Sequence, residues 1–115
     1  MADHLNKIPE LLLRFREAAL GNADPDPAKA NKWHDVGHAC YKLLKDTEEG
    51  RKGIISLMTD EDPYVRLCAA ARSLHWEPET ARRVLEEIRD SDGPGALSAK
   101  WTLIEYDKGR LTFDY

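Results

Sequence analysis

Two histidines, His34 and His38, stand four residues apart and so share one face of any helix that carries them, a spacing that metal sites use. A third ligand is missing. Cys40 falls on the apolar stripe of the same segment, and no glutamate stands between the histidines as a zinc-hydrolase motif would require. Beside Tyr41 the pair reads as the polar edge of a helix, and no metal or other cofactor is expected. Asp90-Ser91-Asp92-Gly93 opens like a calcium loop but lacks the later ligand pair and the terminal glutamate. The chain holds no glycine loop to cradle phosphate, no nucleophile elbow and no paired-cysteine zinc signature. These residues describe a protein that binds rather than one that catalyses.

The acidic residues are the next candidates. Asp24, Asp26, Asp60, Glu61, Asp62, Asp90 and Asp92 cluster at three chain breaks, Asp24-x-Asp26-Pro27, Asp60-x-Asp62-Pro63 and Asp90-x-Asp92-x-Pro94. An aspartate just before a helix caps orphan N–H groups and complements the helix dipole, which accounts for Asp26, Asp62 and Asp92. Capping does not account for Asp24, Asp60, Glu61 or Asp90. In a stack of antiparallel hairpins those turns fall along one edge, and all seven carboxylates would form one acidic ridge. Such a ridge suits a basic protein partner, such as a toxin or nuclease, by raising the on-rate and mimicking phosphate.

Composition sets the frame. A chain of 115 residues is one domain, 1–115, large enough for a core without staples. Its net charge of −4 argues against direct nucleic-acid binding, which wants a basic face. Cys40 and Cys68 both sit in apolar stretches and read as buried free thiols, which favours a reducing compartment. No apolar run approaches the roughly 20 residues of a membrane span. The start of the chain, with Asp3 and His4 and only the short Leu11-Leu12-Leu13 run, does not resemble a leader. A cytoplasmic protein with no membrane contact is expected, its oligomeric state left open.

Six helices are predicted to position these groups. The first opens near Asn6, carries Pro9 in its first turn, ends before Gly21, and buries Leu5, Ile8, Leu12, Phe15 and Ala19. The second starts at Asp26-Pro27 with Ala30, Trp33, Gly37, Cys40 and Leu44 as its stripe. Glu48-Glu49-Gly50 reads as the following break, and a short third helix covers about 51–58. The fourth, capped by Asp62 and opened by Pro63, is apolar nearly all round from Val65 to Leu74, so neighbours must cover it on several sides. The fifth opens at Pro78 and inserts Ala81, Val84, Leu85 and Ile88. Its outer face pairs Glu79 with Arg83, Arg82 with Glu86 and Arg83 with Glu87. The sixth, about 96–107, has two apolar sides, and the alternating tail from Arg110 to Tyr115 is a candidate to cover the second.

The three acidic breaks begin at residues 24, 60 and 90, a spacing within the range of helical solenoid repeats. The expected fold is therefore all-α, six helices stacked as three hairpins. Asp60, Val65, Arg66 and the run Ala69-Ala70 to Leu74 resemble a HEAT-type repeat, although the other two breaks lack the Val-Arg pair. More widely, Ala30-Asn31-Lys32, the stretch Leu57 to Ala70, Pro78 to Glu86 and Ala99…Leu103…Gly109-Arg110 resemble a bacterial domain-of-unknown-function family, numbered twenty-nineteen. The resemblance implies a right-handed HEAT-like array and a protein-binding role, with some members standing as candidate immunity proteins beside toxin genes. It implies no catalytic residue. The HEAT resemblance implies a brace between Arg66 and Asp60 or a neighbouring turn, with a partner's carboxylate as the other role open to Arg66.

The resulting expectation is a protein-binding module, in concrete form an immunity protein that occludes a cognate bacterial toxin. Its platform is the second helix of each hairpin, with His34, His38, Arg66, Arg72, Ser73 and Lys100 on it and the ridge of Asp24, Asp60, Glu61 and Asp90 at its rim. A non-inhibitory adaptor and a small helical-repeat enzyme are the rivals.

Overall fold

A computed structural model of the chain describes residues 7–115. Leu5 and the expected helix start near Asn6 lie outside the described residues. Six α-helices and no strand occur among those described. They are α1 (Ile8–Gly21), α2 (Pro27–Leu44), α3 (Glu48–Ser56), α4 (Pro63–Ser73), α5 (Pro78–Asp90) and α6 (Ala96–Asp107). A single 3-10 turn, Leu57–Thr59, follows α3. The chain divides into two compact units, the first through Leu57 and the second from Met58. Hairpins of α1 with α2 and of α5 with α6 are both present, while α3 and α4 belong to different units.

In the first unit α1 and α2 run antiparallel. Gly37 lies against the methyl of Ala18, and Gly21, one turn further along α1, lies against the ring of Trp33, one turn back on α2. A Cβ at Gly21 would overlap the indole, so glycine allows the two backbones to close on it. Phe15, Ala18, Ala19, Cys40 and Leu44 are buried between these helices and α3.

The start of α3 differs from the expectation. Glu48-Glu49-Gly50 is the first turn of the helix, not the break before it. Thr47 is the N-cap, its Oγ1 accepting the Gly50 N–H at 2.9 Å, and two glutamates behind it complement the dipole. Gly50 is present because a Cβ there would run into the Leu44 carbonyl. Arg51 then ties the turn by donating from Nη1 to the Lys45 carbonyl at 2.6 Å.

In the second unit α5 lies against both α4 and α6. The buried α4 follows from its composition: Val65, Leu67, Ala69, Ala70 and Ala71 are all inside. Asp62 caps it, Oδ1 accepting from Tyr64 at 2.8 Å and Val65 at 3.4 Å. Helix α5 buries Ala81, Leu85 and Ile88, as its periodicity predicts. It runs antiparallel to α6, since Arg82 near its start grips Asp107 at the end of α6 through two bonds of 2.9 and 3.0 Å. Arg82 also meets Glu86 at 3.5 Å, the exposed pair expected along α5.

The tail does not cover the outer side of α6, where Leu97 and Trp101 stay 66% and 54% exposed. Its Phe113 instead sits on Arg72 of α4. The alternating tail pattern predicts a cover but not which surface it covers.

Candidate functional site

The acidic turns are built by one local device, used twice. Asp24 Oδ1 accepts the Asp26 N–H at 2.9 Å, and Asp26 in turn caps Ala28 at 3.0 Å. Asp60 Oδ1 accepts the Asp62 N–H at 3.0 Å, and Asp62 caps α4. The first aspartate of each Asp-x-Asp-Pro folds the turn and the second starts the helix, a chain of Asx bonds. The third break is different. Asp92 adopts a left-handed backbone with φ of 58°, Gly95 stands at the N-cap with φ of 84°, and Ser91 supplies the side-chain bond to Gly93. Asp92, expected as a cap, is therefore not one. Asp90 ends α5 and is held by a two-bond pair with Arg89, which keeps its carboxyl below the usual range.

Arg66 completes the second turn. Its Nη1 donates to the carbonyls of Asp60 at 2.8 Å and Glu61 at 3.0 Å. The brace expected for Arg66 thus runs to main-chain oxygens of the Asp60 turn. These bonds are charge-assisted, and they fix the turn relative to α4.

Where this turn meets the end of α5, a cleft of about 640 Å³ opens. Asp60, Glu61 and Arg66 line it together with Glu87 of α5. Pro63, Ile88 and Pro94 supply its apolar surface. Three acidic residues line it with one arginine, whose guanidinium is already bonded to the backbone. The excess negative charge beside an apolar floor suits a cationic side chain with an apolar stem, such as arginine or lysine. Glu87 escapes a reading of the sequence because it stands on the outer face of α5, where it looks like one half of a surface ion pair.

The other candidates do not line this cleft. Arg72 and Ser73 are buried on α4, 7% and 0% exposed, so neither is on an accessible face. Lys100 is exposed on α6. Asp24 belongs to the α1–α2 turn of the first unit. His34 and His38 stack along α2 with parallel rings 6.2 Å apart, and Tyr41 continues the stack at 5.9 Å. His38 is 7% exposed, so the expected polar edge is largely buried. Among the described residues no three His, Cys, Asp or Glu side chains gather into a group that could hold a metal ion. Burial pushes the Cys40 thiol up, with the Arg14 charge pulling weakly the other way, and a raised thiol pKa disfavours reactive thiolate.

The chain is similar to a solved structure, the protein RPA1889 from Rhodopseudomonas palustris CGA009, at 28% identity and a TM-score of 0.69. The similarity covers 96% of this chain and 90% of that one. It supports an all-α fold. No protein-family model and no curated protein matches the chain. No helix among the described residues is long and apolar enough to cross a membrane.

Proposed function

We propose that this chain is a protein-binding helical module of the HEAT-like kind, and that it holds a basic protein by the acidic cleft of its second unit. The observation that carries the reading is the meeting of Asp60, Glu61 and Glu87 in one cleft whose single cation is engaged with the backbone. A partner's arginine or lysine placed there would find carboxylates on either side and apolar surface along its stem. The net charge of −4 favours approach by a basic protein.

In its concrete form the proposal is an immunity protein, as the resemblance to family twenty-nineteen implies, acting by covering the active surface of a bacterial toxin. Occlusion needs no chemistry from this chain. The test is capture of the partner from host lysate, reconstitution from pure components, and assay of the partner's activity in the complex. A basic partner that loses activity on binding supports immunity. A basic partner that stays fully active in the complex leaves an adaptor, and a partner that binds elsewhere than the cleft removes the reading.

A further inference from the structure

We propose a second binding surface, of opposite charge, in the first unit: a groove on the α1–α2 hairpin that takes an acidic segment of a partner protein. Arg14 of α1 and Lys29 and Lys32 of α2 line a groove of about 300 Å³, with Trp33 and Val36 as its apolar floor. All three cations are exposed, and no carboxylate lines the groove with them. None of the three is in an ion pair among the described residues. Three like charges in a groove that no carboxylate lines repel one another, and an anion seated between them relieves that repulsion.

The floor is set in advance. Trp33 rests against Gly21, where any larger residue would collide with the ring, so the indole has its place fixed by the hairpin. A preformed aromatic floor reduces the ordering cost of binding. An apolar side chain of the partner would lie on Trp33 and Val36, with acidic neighbours reaching Lys29, Lys32 and the forked guanidinium of Arg14.

The basic track is short. Glu10 and Glu17 share with Arg14 the adjoining groove of α1, and the chain as a whole is acidic. A long phosphate chain would meet repulsion on leaving the groove, whereas a short acidic peptide would not. The geometry thus favours a peptide segment over a nucleic acid.

The test is a titration of the full isotope-labelled chain with a capped hexapeptide of alternating glutamate and leucine, followed by amide and indole resonances. The expected result is movement of the Trp33 indole N–H and of amides 29–36. Affinity should fall at least about fivefold between about 50 and 300 mM salt, as screening requires. The double variant K29E/K32E should lose the response while unfolding at an unchanged temperature, since both lysines are exposed. Three results would overturn the proposal. One is an oligouridylate of the same length moving these resonances when the peptide does not. Another is peptide-induced shifts confined to other residues. The third is movement of the same resonances on raising protein concentration alone, which would make a second copy the occupant.

Discussion

The Phe113 ring lies 4.4 Å from the guanidinium carbon of Arg72, a cation–π contact that fastens the C-terminal tail to α4. Arg72 is buried, so water screens the contact little. Arg110 adds a two-bond pair with Glu105 at 2.8 and 3.0 Å, pinning the start of the tail to the end of α6. Phe113→Ala should therefore destabilise the second unit by about 1–2 kcal/mol, from lost burial and lost cation–π attraction. Urea unfolding measures it. A change below about 0.3 kcal/mol would mean that the tail adds nothing to the fold.

The Asp-x-Asp-Pro turns make a graded prediction. Asp62→Ala removes the cap of α4 and should cost about 1 kcal/mol, within the usual range for caps. Asp60→Ala removes one Asx bond to Asp62 and should cost less. Arg66→Ala takes away two charge-assisted bonds to the turn and should cost about 1–3 kcal/mol. Thermal unfolding of the three variants checks the order. Equal effects at all three sites would contradict the distinction between folding the turn and starting the helix.

Ser73 is fully buried, and its Oγ has no hydrogen-bond partner among the described residues. A buried hydroxyl without a partner costs stability. Ser73→Ala should leave the melting temperature unchanged or raise it. A fall of several degrees would show that the hydroxyl has a partner in solution.

Acid should loosen the α5–α6 hairpin. The Arg82 guanidinium hydrogen-bonded to Asp107 holds that carboxyl below its ordinary value of 3.8. A depressed folded pKa contributes stability above the unfolded value, and that contribution is lost as pH falls through the folded value. The same sign applies to Asp90 beside Arg89 and Glu105 beside Arg110. Stability should decline as pH drops below the ordinary carboxylate range, and Asp107→Asn should flatten part of that decline. Because these groups are exposed, the effect should shrink in high salt. An acid limb identical in wild type and variant would contradict the assignment.

Local chemistry made most of the fold legible. Asp26-Pro27, Asp62-Pro63 and Pro78 start helices where their capping and φ preferences place them. The apolar run of α4 announces its burial. What escaped depends on close approaches that the residue types do not announce. Gly50 reads as a breaker, yet it sits inside a helix because the Leu44 carbonyl leaves no room for a side chain. His38 reads as a polar-edge residue, yet it is buried in a ring stack. Asp60 and Glu61 were visible as an unexplained acidic turn. Their partner in the cleft, Glu87, was not, because nothing in its own helix marks it.

The most direct measurement is the affinity of the reconstituted complex for wild type and for Glu61→Gln/Glu87→Gln, each at low and high salt. Both glutamates are exposed, so the double variant should fold normally. The acidic cleft predicts binding weakened by about tenfold or more, equivalent to about 1.4 kcal/mol, together with a smaller salt dependence. Equal affinity and equal salt dependence in the two proteins would contradict it.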